Sequence, residues 1–233
     1  MEPGSNPKTT ENPETYWDTL IELVNTADGY TLKLNLLCNP QWASYILQDE
    51  ARLAVLRAWG TGGHLIDLHH HGPHHAYWNG YTNQPGYTHH EKDIGTIEEM
   101  MALMNQLPDY GQITTGCITM DEDRDDDGPA GMIYSADGGV SGASDLISTP
   151  EIVTYNGQQA TKITNNMYAT GHPKDVTLVD SVNALDTAGA GEFVGIAFHV
   201  DNFAASSEKF VELFEVLADR GIQTRTFPHL LEQ

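Results

Sequence analysis

Gly63 to His75 reads GHLIDLHHHGPHH, and five of the eleven histidines, His69, His70, His71, His74 and His75, fall inside it within seven residues. His89 and His90 close the polar loop that follows. Upstream, His64-Leu65-Ile66-Asp67-Leu68 has the apolar content of a strand. Period-two geometry then sets Leu65, Asp67, His69 and His71 on one face. A carboxylate and imidazoles converging at a strand end are the oxygen and nitrogen donors that a zinc-class divalent ion takes. The candidate ligands are Asp67, His69, His71, His74 and His75. The bland alternative is a solvated histidine-rich loop. The run is internal and broken by Gly72-Pro73, unlike a terminal tag.

A second candidate centre is His199-Val200-Asp201, which ends the apolar run Phe193–His199. A third is Asp123-Arg124-Asp125-Asp126-Asp127-Gly128, which fits the opening of a calcium loop with Asp123, Asp125 and Asp127 as ligands. The closing glutamate of such a loop is replaced by Tyr134, and Pro129 follows the glycine, so a solvated acidic loop is the competing reading.

Elements that would position these residues follow from periodicity and caps. Asn12-Pro13-Glu14 opens a helix carried by Trp17, Leu20, Ile21 and Val24 and stopped at Gly29. Thr31–Cys38 reads as a strand, and 42–47 and 51–59 as helices before the glycines at 60, 62 and 63. Thr96-Ile97-Glu98-Glu99 matches a capping box, with the methionines behind it as core filler. Gln112–Thr119 is a strand, and Glu151–Ile163 a hairpin with Asn156-Gly157 at its tip. A helix over 176–185, a buried strand over Phe193–His199, an amphipathic helix over Ser207–Arg220 and a last strand over Ile222–Phe227 complete the chain. This alternation predicts an α/β fold with a parallel sheet, in which chemistry collects at the C-terminal strand ends.

The 233 residues suit one domain, and 11 Lys+Arg against 33 Asp+Glu give a net charge of −22. Nucleic acid and anionic membranes are not expected as partners, because phosphate neutralisation needs the opposite sign. No apolar run is long enough to cross a membrane, and Met1-Glu2-Pro3-Gly4 lacks the basic start and apolar core of a signal. The expected setting is extracellular or cell-envelope if a leader precedes this sequence, and cytoplasmic otherwise. Cys38 and Cys117 lie in apolar runs and read as buried free thiols.

The stretch AWGTGGHLIDLHHHGPHH resembles the second motif region of the polysaccharide deacetylase (NodB-homology) family. GEFVGIAFHVDNF followed by RGIQTRTFPHLLE resembles that family's C-terminal end, and YWDTLIELVNTADGYTLKLNLLCNPQWASYI its first helix–strand repeat. The likeness is specific at the two ends and weak between 120 and 190. It implies a distorted (β/α) barrel of about seven strands, here with a small β-hairpin insertion, as a single domain over 1–233. It also implies metal-dependent removal of acetyl groups from a glycan, with a divalent ion, zinc by preference, as cofactor and carbohydrate as partner. His69 aligns as the first metal histidine. Pro73 stands where the second is expected, so either His74 takes that place or His71 and His75 form the pair. The family's aspartate pair and its arginine–proline motif are absent. Glu2 or Asp67 then stands in as the base, and His199, held by Asp201 or a neighbour, as the acid. Trp78, Tyr77, Tyr81 and Tyr87 are available either to stack on sugar rings or to pin their loop. A degenerate barrel that binds metal or glycan without turnover is the alternative. A serine esterase ranks last, since no G-x-S-x-G elbow occurs.

Overall fold

A computed structural model of the chain describes residues 12–75, 77–118, 128–129, 132, 134–138, 146–155, 158–171 and 175–230. Glu2, the acidic loop with Asp123, Asp125 and Asp127, and the hairpin tip at Asn156-Gly157 lie outside these residues.

Helix α1 (Asn12–Gly29) buries Trp17, Leu20, Leu23, Val24 and Ala27 along one stripe, and Ile21 only flanks it. Strand β1 (Asn35–Cys38) follows, then two short helices with side-chain caps. In α2 (Pro40–Leu47) the Asn39 side chain accepts from Trp42 N at 3.0 Å. In α3 (Glu50–Thr61) Asp49 accepts from Ala51 N at 2.8 Å. Each cap satisfies a helix-start N–H that has no partner within the helix.

Strand β2 (Leu65–His70) pairs in parallel with β1 on one side and with β3 (Gly116–Ile118) on the other. Gly116 makes the second pairing close: a Cβ there would sit 2.5 Å from Leu68 O and 2.9 Å from Leu68 Cβ. Helix α4 (Ile97–Met104) carries the expected Thr96/Glu99 capping box and buries Met100 and Met104.

The second sheet is built on β7 (Gln158–Met167), the longest strand. It pairs antiparallel with β6 (Glu151–Tyr155), as the hairpin pattern predicts, and in parallel with β4 (Tyr134–Gly138) and β9 (Ile196–Ala197). A two-stranded antiparallel ladder joins β5 (Ile147–Ser148) to β8 (Phe193–Val194). Helices α5 (Leu178–Thr187) and α7 (Ser207–Asp219) follow the outline read from periodicity, and a short helix not expected from it, α6 (Val200–Ala205), lies between them. Phe210 of α7 anchors the main core, with the rings of Phe198, Phe203 and Tyr168 at 4.9, 5.5 and 5.6 Å.

Among the described residues the expected barrel of about seven strands is not formed. Among the described residues the strands fall into sheets of three, four and two strands, none of them closed. The parallel α/β alternation is present, but the segments needed to close it are too short or lack a ladder. Phe193–His199 is not one strand. Gly195 breaks it, its N–H donating to Leu146 O while its carbonyl accepts from Asn166 N, so β8 and β9 serve different sheets. Ile222–Phe227 runs beside β1 without forming a strand. There Thr224 Oγ1 accepts from Lys33 N, and the Asn35 side chain bonds Arg225 O at 3.5 Å and Phe227 N at 3.1 Å. Side chains take the place of backbone partners on that edge. A 3-10 turn, Phe227–Leu230, ends the described chain.

Candidate functional site

Strand β2 divides its side chains by alternation. Ile66 and Leu68 enter the main core, and Leu65 packs with a second cluster of Leu37, Cys117, Ile163 and Phe227. Asp67 and His69 share the Leu65 face. Asp67, His69 and His70 are at most 1% exposed, and His71 is 9% exposed. These polar groups are held inside the protein and not displayed on a solvated loop.

The Nε2 atoms of His69 and His71 approach to 2.8 Å, with their rings nearly perpendicular at 86°. One proton fits between them, so one ring donates and the other accepts. His75 stacks flat on His71, centroids 3.8 Å apart and planes 6° apart, and its Nδ1 accepts from Tyr77 N. Stacked rings point their lone pairs side by side, not at a common point, so His75 supports His71 better than it shares a ligand position with it. Of the two alternatives for a second metal histidine, the structure groups His71 and His75 with His69. His74 is exposed and turned away, its Nε2 3.2 Å from Gln84 Oε1 and its Nδ1 3.5 Å from the Tyr87 hydroxyl.

Asp67 lies below this pair on the same strand face. Its Oδ1 accepts from Thr115 Oγ1 at 2.8 Å and from Leu68 N at 3.1 Å, whereas the buried Oδ2 has no hydrogen-bond partner among the described residues. Burial pushes the Asp67 carboxyl up to about 7, against the opposing pull of those two hydrogen bonds.

Two other histidines, His70 and His64, hold structure together. His70 faces the other way and bonds Asn79 Oδ1 at 3.0 Å, while Asn79 N donates to His71 O and Asn79 O accepts from Gln41 Nε2. His64 accepts from Leu34 N through Nδ1 and bonds Asp28 through Nε2, both at 3.1 Å, which ties the start of β2 to β1 and α1. Burial holds the His64 pKa below its usual value, and Asp28 opposes that shift. His89 and His90 are exposed in the loop, His89 with a positive φ of 81°. Trp78 and Tyr81 are 2% and 9% exposed, and the indole N–H of Trp78 donates to Tyr81 O at 2.9 Å. These two aromatics pin the loop; Tyr77, 47% exposed, is available at its surface.

His199 caps the start of α6 and is half-buried, its N–H donating to Asn202 Oδ1 at 2.9 Å. Asp201 makes no hydrogen bond to His199 among the described residues, and its own Oδ1 is buried without a partner. Asn202, not Asp201, fixes the backbone at this position. Sequence reasoning missed Asn79 and Thr115. Thr115 carried a usable signal, since it stands two residues before Cys117 and so shares that strand's inward face.

Could the described residues hold a divalent ion? A tetrahedral zinc at ~2.0–2.1 Å from two nitrogens separates them by roughly 3.3 Å, so the His69–His71 pair needs to open by about half an ångström. The donor chemistry fits, although among the described residues no group of three or more ligand side chains is gathered. Cys38 and Cys117 are buried thiols outside any disulfide, and burial raises Cys38 to about 12, which removes it as a ready ligand. Comparison with known proteins found no matching family model, no matching curated protein and no matching solved structure.

Proposed function

We propose that the chain is a metal-dependent hydrolase that removes acyl groups, acetyl by preference, from a carbohydrate. Its site is the C-terminal end of β2. The observation that carries this reading is the buried meeting of His69 and His71 at 2.8 Å, with the unpartnered Oδ2 of Asp67 on the same face. Buried polar atoms are normally satisfied, and those left open mark places built for a partner.

In this reading His69 and His71 hold the ion as neutral imidazoles, and His75 braces His71 by stacking. A zinc-class ion bound there would polarise the acyl carbonyl and lower the pKa of a water toward ~7. Asp67 is the proton acceptor: a carboxyl held near neutrality by burial takes up and gives back a proton within the working range of an enzyme. His199, at a strand end with a half-buried ring, serves as proton donor to the leaving group. Tyr77 at the loop surface offers a face for a sugar ring. The charge of −22 rules the partner toward neutral or cationic glycans and away from nucleic acid.

A second reading, metal or glycan binding without turnover, draws on the small number of ligands gathered and on the burial of Trp78 and Tyr81, which leaves little aromatic platform.

The test is elemental analysis of tag-free protein after zinc exposure and dialysis, followed by acetate release from acetylated oligosaccharides. About one ion per chain is expected. It is lost in His69→Ala and His71→Ala and retained in His74→Ala and His199→Ala, with acetate release abolished in His199→Ala. Wild-type protein without stoichiometric metal refutes the hydrolase. Stoichiometric metal with no acetate release from any glycan selects the second reading.

A further inference from the structure

A cavity of about 410 Å³ opens between the free edge of β1 and the β7–β9 ladder, at the far end of the strands from the histidines. Leu32–Asn35 line it, and these residues lie before or at the start of β1, whereas His69 and His71 lie at the end of β2. Leu37, Ile163, Phe198, Leu213, Phe214 and Phe227 give it an apolar wall. Helix α7 roofs it, and the ladder-free segment before Phe227 forms one side.

Two polar features stand out against that wall. Asn165 follows Ile163 by two residues on β7, so it shares the inward face. It is 8% exposed, and its Oδ1 is buried with no hydrogen-bond partner among the described residues. A buried, unpartnered acceptor on a residue that lines an apolar cavity calls for a ligand N–H or O–H. The lining also inverts the charge balance of the chain. Lys33 and Arg225 face a single acid, Glu192, in a protein where acids outnumber bases 33 to 11. Lys33 is paired with Asp28, whereas Arg225 is exposed and makes no ion pair among the described residues.

We propose that this cavity binds a small amphipathic anion: an aliphatic or aryl body within the apolar wall, one N–H or O–H donor given to Asn165 Oδ1, and a carboxylate or sulfonate set against Arg225. The site is independent of the metal reading, because none of its residues belongs to the histidine cluster.

Two dyes of the same shape test it by fluorescence titration of the intact chain. Anilinonaphthalene sulfonate carries the aryl body, the N–H and the anion, and N-phenylnaphthylamine lacks only the anion. Both are expected to saturate at one site per chain. Asn165→Val weakens both about tenfold through loss of the buried acceptor. Arg225→Gln weakens the sulfonate about fivefold and leaves the neutral dye within about twofold. Leu213→Trp fills the space and abolishes both, with Leu37→Phe as a second filling variant if the first fails to fold, circular dichroism confirming the fold of each. Absence of saturable binding overturns the site. So does binding unaffected by Asn165→Val and by the filling variants, and a sulfonate affinity unchanged in Arg225→Gln overturns the anionic ligand.

Discussion

Asp67→Asn in metal-free protein is the sharpest physical test of the buried site. Asp67 is fully buried, and its carboxyl is raised from 3.8 to about 7 mainly by desolvation. The native state therefore binds this proton more tightly than the unfolded chain does. The associated stability is fully present below about 3.8 and is lost as pH rises through about 7. At 1.36 kcal/mol per pH unit, the span from 3.8 to about 7 corresponds to about 4 kcal/mol, of which somewhat under half is already lost at pH 5. Between pH 5 and pH 8.5 wild type should lose roughly 3 kcal/mol relative to a variant that cannot ionise there. Asparagine keeps an Oδ1 to accept from Thr115 and Leu68, and places an amide nitrogen where the unpartnered Oδ2 lies. That new buried donor costs about 1–3 kcal/mol, equally at both pH values, so the swing with pH isolates the ionisation. The assay is urea unfolding of both proteins at the two pH values with chelator present, since a bound cation would hold the carboxylate ionised. A stability gap that stays constant with pH, or that moves in favour of wild type at pH 8.5, refutes the reasoning.

Gly116→Ala should destabilise the chain by about 1–3 kcal/mol, because its Cβ would meet Leu68 O at 2.5 Å and force β3 away from β2. It should also reduce metal uptake, as the displacement falls one residue before His69; unchanged urea unfolding together with full metal content counts against the close pairing. Phe210→Ala, which removes a fully buried ring ringed by three aromatics, should cost about 3–5 kcal/mol in the same unfolding assay, and a loss under about 1 kcal/mol would show that the core there is slack. Thr96→Ala should cost about 1 kcal/mol by leaving Glu99 N without its cap, and Thr96→Ser should restore most of it. A serine variant as unstable as alanine would argue against the hydroxyl's role.

The helices were legible in the sequence because their signals are local. The Thr96/Glu99 box, the Phe210–Leu217 stripe and the glycine-rich stop after Trp59 all declare themselves within a few residues. The hairpin of β6 and β7 was legible for the same reason. Sheet closure was not, because it depends on what lies beside an edge. An apolar run such as Phe193–His199 looks like one buried strand, yet Gly195 hands its two halves to different partners. Ile222–Phe227 has strand-like composition, but Thr224 and the Asn35 side chain satisfy the groups that a ladder would have used. In the site, alternation correctly placed Asp67, His69 and His71 on one face. It had no means of separating His74 from His75, since that choice is made in a loop by Gln84, Tyr87 and the ring of His71.

The sharing of β7 among three partners also bears on how the protein assembles. Its first half is joined to β6 by a short connection, a local event of the microsecond class, whereas β4 and β9 must return from longer excursions of the chain. The hairpin is therefore expected to form early, leaving an open edge along the ten-residue β7 until its parallel partners attach. Until they arrive, that edge is open to any extended segment, including the same strand of another molecule. The slow steps of folding and the window for misassembly thus fall on one strand, and concentrated refolding should lose yield through β7 before any helix fails.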